Sequence, residues 1–131
     1  MEQLKAMKAL LLSFPQWGEQ ALAVDAYPQP EGCALFPLGL QVLSRREDVQ
    51  GNTRLRLRQS FLLRRVCYGT REAAAWLLSF QQWLLNQPTE ALEAVFGSHL
   101  QLWAELGKQV SSKQPGIGIY EVKIHAQYEK E

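Results

Sequence analysis

The fold is decided by the stretch TRLRLRQSFLLRRVCYGTREAAAWLLSFQQWLLN, residues 53–86. Its first part alternates arginine with leucine, which is the pattern of a strand with one face buried and the other exposed. The exposed face carries Arg54, Arg56 and Arg58, and the buried face carries Leu55, Leu57 and Gln59. Doubled leucines and arginines over residues 62–65 break the period of two, which indicates a bulge or a buried central stretch.

A helix is predicted in the second part of this stretch. Apolar side chains recur there at helical spacing, and Asn86-Gln87-Pro88 supplies a stop. The stripe consists of Ala73, Trp76, Leu77, Phe80, Trp83 and Leu84. Thr70 is suited to the N-cap. We therefore expect a helix from Glu72 to Asn86 that packs on the sheet.

The flanking sequence predicts further strands and helices. An amphipathic helix should end near Phe14, because Pro15 disfavours helix there. Residues 89–96 favour one or two helical turns, with Leu92, Val95 and Phe96 directed inward. Strands are expected at residues 21–26, 33–36, 40–44, 53–68 and 120–128, and also at 100–106, although the last pattern would also serve a helix. Residues 47–52 and 111–118 are predicted turns.

The predicted layout, α-β-β-β-β-α-β-β, is that of an α+β protein. It implies an antiparallel sheet of about four to six strands, with an N-terminal helix and a long central helix packed on one face. A chain of 131 residues forms one domain, residues 1–131, and its 47% hydrophobic content is that of a globular protein. The net charge of +1 leaves binding to local patches.

Cysteine content and apolar segments predict a soluble protein that is not exported. Cys33 and Cys67 are too few for the disulfide framework of a small secreted domain, so both are expected as reduced thiols. The N-terminal segment lacks the features of a signal peptide, and no stretch approaches the roughly 20 apolar residues of a membrane span.

Catalytic, cofactor and metal sites are not predicted. Cys33, Cys67, His99 and His125 contain no close pair of the kind that zinc sites use, and no motif marks an orienting Asp or Asn for a Cys-His nucleophile. The histidines are instead expected at the surface or in capping positions. Gly116-Ile-Gly118 lacks the third glycine of a phosphate-binding loop. Asp25 is interpreted as a turn cap.

Arginine stands out from the background, with eight arginines between Arg45 and Arg71. Three interpretations stay open: a solvated sheet face, a subunit interface, or a phosphate-binding surface on which Tyr68 or Trp103 stacks with bases. Trp76 and Trp83 are expected in the core, whereas Trp17 and Trp103 are candidate exposed contact residues. The predicted interface consists of Arg45, Arg46, Arg54, Arg56, Arg58 and Trp103.

The order of these segments resembles that of a known family. The resemblance rests on the strand and turn Val24-Asp25-Ala26-Tyr27, the long strand Gln59 to Gly69, the Trp-bearing helix Glu72 to Asn86 and the closing strand Ile119 to Tyr128. Together they resemble the phage minor capsid and tail-completion, or tail-terminator-like, proteins of Firmicute prophages. The segment from Thr89 to Gly107 is more helical and apolar than in that family.

The resemblance implies a non-enzymatic structural protein without cofactors, acting at the head-tail junction of a bacteriophage. It implies self-association into a ring or another oligomer and contacts with tail-tube and head-completion proteins, without membrane association. The protein would occur in the cytoplasm of the bacterial host during assembly and then in the virion. The alternative is a small nucleic-acid-binding module that uses the Arg-rich hairpin.

Overall fold

A computed structural model describes residues 2–17, 22–24, 32–68, 73–105, 107–110 and 117–131 of the protein. The elements are α1 (Glu2–Leu12), β1 (Leu22–Val24), β2 (Gly32–Glu47), β3 (Thr53–Tyr68), α2 (Ala73–Leu85), α3 (Glu90–Glu93), β4 (Ser98–Ala104), β5 (Lys108–Val110) and β6 (Ile117–Lys130). The expected layout is wrong in two places. The two strands predicted on either side of Pro37 form the single strand β2, and β5 was not predicted.

The strands form one six-stranded sheet in the order β1-β2-β3-β6-β4, with β5 also paired to β6. The protein is therefore α+β, as expected. The sheet is mixed, because β1 pairs with β2 in parallel while every other pair is antiparallel. The expectation of a purely antiparallel sheet is wrong in this respect, since alternation predicts a strand but carries no information on the direction of its neighbour.

β3 and β6 form the centre of the sheet. They pair from Leu55 to Tyr68 without a register shift, so the bulge considered for β3 does not occur. The doubled leucine is accommodated because Leu63 enters the core while Leu62 lies on the other face, opposite Phe36. Leu62 is half-buried on that face, so apolar residues occur on both faces of β3 here and the strict alternation is interrupted.

The irregularities lie instead in β2, between Pro37 and Gly39 and between Val42 and Ser44. Gly39 has φ +140°, which favours glycine. Proline is tolerated in β2 because this strand lies at the margin of the sheet, where an N–H is not needed for a further partner. β2 consequently runs past Pro37 and forms a long hairpin with β3.

The helices α1 and α2 close the core on one face of the sheet. Phe14 packs against Trp76, Phe80 and Trp83, with ring centroids 5.0 to 5.5 Å apart. Trp17 is also buried, so its predicted role as an exposed contact residue is wrong; its ring lies 5.7 Å from that of Trp76. None of the described helices has the length and apolar character that crossing a membrane requires.

α2 begins and ends within one residue of the prediction, but with 13 residues it is of ordinary length and not a long central helix. Thr70, its predicted N-cap, lies outside the described residues, as do Asp25 and the turn at residues 111–116. The segment after α2 follows the prediction, since Phe96 is buried and Leu92 and Val95 pack against the core. The strand preferred for residues 100–106 is confirmed by β4, in which Leu100, Leu102 and Ala104 are buried.

Candidate interaction site on the sheet

The sheet face opposite α1 and α2, called here the open face, carries most of the polar side chains of the strands. The helix-side face of β3 carries Leu57, Phe61 and Leu63, all buried. Because side chains alternate along a strand, the residues between them point to the open face. On β3 these are Arg54, Arg56, Arg58, Ser60, Leu62 and Arg64, and on β6 they are Glu121, Lys123, His125, Gln127 and Glu129.

The centre of the open face is a row of four neighbouring residues: Gly39, Ser60, His125 and Trp103. The hydroxyl Oγ of Ser60 lies 2.7 Å from Nδ1 of His125. Nε2 of the same imidazole lies 3.6 Å from a carboxylate oxygen of Glu105. The Trp103 ring packs beside His125, with the ring centroids 5.2 Å apart. His125 is therefore held on three sides and is not the surface or capping residue that was expected.

The set Ser60, His125 and Glu105 has the residue types of a nucleophile, a base and an orienting acid. No local sequence signal marks this set, because its members meet only through the register of β3, β6 and β4. Ser60 lies in the middle of β3, with paired strands on both sides. The carboxylate of Glu105, at 3.6 Å from Nε2 of His125, is farther than a hydrogen bond, and acyl transfer would also require N–H donors directed at a developing oxyanion. We interpret the set as a polar network that stiffens the open face.

The predicted interface residues lie mostly on this open face. Arg54, Arg56, Arg58 and Trp103 share it, and Arg46 lies opposite Arg54 and joins them. Arg45 is the exception, because it lies opposite Leu55 and therefore on the helix-side face. The interface formed by these six residues stays a prediction.

Three arginines of β3 have acceptors on β6 or on the residue that follows it. Arg64 pairs with Glu121 at 2.9 Å, and Arg54 lies 3.6 Å from Glu129 and 3.7 Å from Glu131. Arg58 donates to Oε1 of Gln127 from Nη2 at 3.0 Å and from Nε at 3.3 Å, and its guanidinium lies 5.2 Å from the Trp103 ring centroid. These contacts hold the three side chains in place, and the carboxylates offset the charge of Arg54 and Arg64.

The outer margin of β2 differs from the open face. β1 pairs only with Cys33, Ala34 and Leu35, so residues 37–47, which pair with β3 on one side, have no strand on their outer side among the described residues. Leu38, Leu40 and Val42 on this stretch are exposed by 49%, 58% and 59%. In the described part of the chain, neither Arg45 nor Arg46 forms an ion pair. We call residues 37–47 the β2 margin.

A shallow depression of about 330 Å³ connects the β2 margin to the open face. It is lined by Leu38, Leu40, Arg58, Ser60, Lys123 and His125. A second depression, of about 380 Å³, lies at the hairpin tip between Arg46, Arg54 and Glu131. The Asp48 turn closes this tip. Backbone N–H groups of Asn52 and Gln50 donate to the Asp48 carboxylate, and they lower its pKa.

The residues considered for a metal site do not converge. Cys33 is buried in the core, His99 is exposed beside Glu129 at 3.9 Å, and His125 lies on the open face. Within the described ranges, no group of three His, Cys, Asp or Glu side chains could hold a metal ion. The side chain of Cys67 lies outside the described part.

The sequence matches no protein-family model and no curated protein sequence.

Proposed function

We propose that this protein is a non-enzymatic structural subunit that acts through protein-protein contacts, at the head-tail junction of a bacteriophage as the sequence resemblance implies. In this role it is a minor capsid or tail-completion protein of the terminator type. It self-associates into a ring or another oligomer and contacts tail-tube and head-completion proteins. It is assembled in the cytoplasm of the bacterial host and remains in the virion.

The observation that carries this proposal is the β2 margin. Three apolar side chains along this margin are 49% to 59% exposed, beside two arginines without ion partners in the described residues. An isolated exposed leucine is unremarkable, but a row of them at an open sheet margin marks an interaction surface. Arginine next to apolar anchors is the composition found at protein interfaces.

The organisation of the open face also supports a contact role. Arg58, Trp103 and His125 are fixed by hydrogen bonds and ring packing before any partner arrives. Tryptophan and arginine are enriched among the residues that contribute most to binding, and preorganised side chains lose little entropy when a partner binds. The open face therefore suits a protein partner.

Nucleic-acid binding is the second candidate, because Arg58 over Trp103 could stack with a base. The neutralisation of Arg54 and Arg64 by glutamates weakens this alternative. Binding of single-stranded DNA at low salt, with an affinity that falls steeply as salt is raised, would favour nucleic acid over protein partners.

A deletion in the phage genome tests the proposal. Loss of the gene in a phage that encodes this chain should leave DNA-filled heads and tails unjoined, as seen by electron microscopy of the lysate. Supplying the wild-type chain in trans should restore complete virions, whereas R54E/R56E/R58E should restore fewer. Normal virion yield from the deletion phage would contradict the proposal.

A further inference from the structure

The two margins of the sheet carry opposite charge. Residues 37–47, the β2 margin, contain two arginines and one glutamate, a net charge of +1, and the whole β2–β3 hairpin, residues 32–68, has a net charge of +5 that the glutamates of β6 partly neutralise. Residues 73–105, which form α2, α3 and β4, contain three glutamates and neither lysine nor arginine, a net charge of −3. The strand order β1-β2-β3-β6-β4 places the hairpin at one side of the sheet and β4 at the other.

The two margins also lie at the same level along the strand direction, as shown by the residues that lie side by side across the sheet. Pro37 is in one row with Phe61, Ile124 and Ala104, and Ser44 is in one row with Arg56, Glu129 and Ser98. β4 thus spans the same rows as the first part of the β2 margin. A second copy displaced sideways across the sheet would bring its β4 beside β2, antiparallel to it.

The acidic helix α3 lies at the end of the sheet where Arg45 and Arg46 lie. Phe96, three residues after α3, packs its ring 5.7 Å from that of Tyr128. Tyr128 lies opposite Leu57, and Leu57 lies opposite Val42. Glu90 and Glu93 of α3 are therefore close in height to Val42 and to the arginines that follow it.

Exposed apolar side chains occur on the acidic side as well. Gln81 of α2 donates from Nε2 to the carbonyl oxygen of Ala104 at 2.8 Å, which fixes the side of the helix that faces β4. Leu78 and Leu85 lie three residues before and four residues after Gln81, so they share that side, and they are 52% and 67% exposed. We call this surface, Leu78, Leu85, Glu90, Glu93 and Glu105, the β4 margin.

We propose that the partner of the β2 margin is the β4 margin of a second copy of this chain, in a head-to-tail contact that joins successive subunits. The inference rests on the proposed function and specifies its self-association. A contact between two different surfaces propagates from copy to copy, and it closes into a ring when the rotation between copies allows. A contact of the β2 margin with itself would bring arginine-bearing hairpins together and lacks this complementarity.

The contact is formed by side chains and not by a continuous ladder of backbone hydrogen bonds. β2 has two register shifts and Pro37 at its margin. β4 has a register shift between Ser98 and Gln101, with His99 at φ 55° and the carbonyl of Ala104 occupied by Gln81. Such irregularities interrupt strand addition at a sheet edge. Arginine-glutamate pairs around an apolar centre hold the copies together instead.

Charge exchange between the margins tests this inference. R45E/R46E makes both margins acidic, and E90K/E93K makes the β4 margin basic while the β2 margin stays basic. Each variant alone should associate about 100-fold more weakly than wild type, because like charges now meet. An equimolar mixture of the two should associate again, because every contact then has a partner of opposite charge. Mass is measured by sedimentation velocity.

K5E/K8E is the matched control for R45E/R46E. It lowers the net charge of the protein by the same amount, but on α1, and it should leave association unchanged. Circular dichroism and the thermal midpoint verify that each variant is folded. If R45E/R46E proves unfolded, Leu85→Ser, at a site that is 67% exposed, provides a second test and should also weaken association.

The possible results separate the inference from the proposed function. If both charge variants associate as strongly as wild type, or if their mixture stays monomeric, the pairing of the two margins is wrong. Either result leaves the proposed structural role unaffected. Wild type that stays monomeric at every concentration overturns both.

Discussion

The packing of Gly97 allows a sharp test of how β4 is attached to β6. A Cβ atom at this position would lie 2.5 Å from the carbonyl oxygen of Glu129 and 2.6 Å from Cδ2 of Tyr128. The first of these atoms belongs to the backbone of a paired strand, so it cannot rotate away. Gly97→Ala should therefore push the start of β4 away from β6 and disturb the packing of Phe96 on Tyr128.

The expected cost follows from this overlap. Both distances are shorter than the non-bonded contacts that Cβ atoms make in proteins. Overpacking of this kind costs about 1 to 3 kcal/mol. A domain of this size has a free energy of unfolding of roughly 5 to 15 kcal/mol. Each kcal/mol corresponds to about 3 to 5 °C in the thermal midpoint. We expect the midpoint of Gly97→Ala to fall by roughly 3 to 15 °C.

The assay is thermal and urea unfolding followed by circular dichroism and tryptophan fluorescence. Ser98→Ala is the control, because the exposed neighbour makes only a 3.3 Å hydrogen bond from its hydroxyl to Glu129 and should change stability by less than about 0.5 kcal/mol. A midpoint for Gly97→Ala equal to that of wild type would refute the close approach of the two strands.

Three further predictions concern the core, an ion pair and a buried phenol. Phe80→Ala removes a fully buried ring among Phe14, Trp76 and Trp83, and urea unfolding should show a loss of about 3 to 5 kcal/mol; a change no larger than that of exposed Leu85→Ala would contradict the aromatic core. Arg64→Met leaves the largely buried Glu121 carboxylate without its 2.9 Å partner and should cost about 1 to 3 kcal/mol in the same assay; a neutral result would show that the pair contributes nothing. Burial raises the pKa of Tyr128 above its ordinary value of 10.0, so the fold favours the protonated phenol. This contribution is complete below the unfolded pKa and is lost as pH rises through the folded pKa, so the free energy of unfolding should fall above about pH 10. The alkaline fall should be smaller in Tyr128→Phe, and equal falls in both proteins would exclude this cause.

Much of the sheet could be predicted from alternation alone. β3 and β6 each have one apolar and one polar face, and a slip of one residue would turn every apolar side chain to solvent. The pattern therefore determines both the strands and their buried faces. α2 was predictable for the same reason, since a continuous apolar stripe and a proline stop define a helix of this length.

The pairing between distant segments was not predictable. Nothing local indicates that β1 runs parallel to β2, or that β4 and β5 both pair with β6, because these choices depend on contacts across the whole chain. The strands predicted at residues 33–36 and 40–44 are one strand through Pro37, because the outer position of β2 makes the missing N–H harmless. Trp17 shows the same limitation, because its burial depends on Trp76, which lies far along the sequence.

The candidate interaction site was predictable in composition but not in arrangement. Alternation correctly placed Arg54, Arg56 and Arg58 on one face. Their contacts depend on the register of β3 against β6, which brings Glu129 within reach of Arg54 and Gln127 opposite Arg58. Separation of charge between the two margins likewise requires the strand order.

Sedimentation velocity of the wild-type chain at increasing concentration tests the central claim, that this protein works as one subunit among identical copies. We predict that the sedimenting mass rises with concentration to a single multiple of the protomer mass and that high salt reverses the rise. A species that sediments as one protomer throughout, in low salt and in high salt alike, would contradict it.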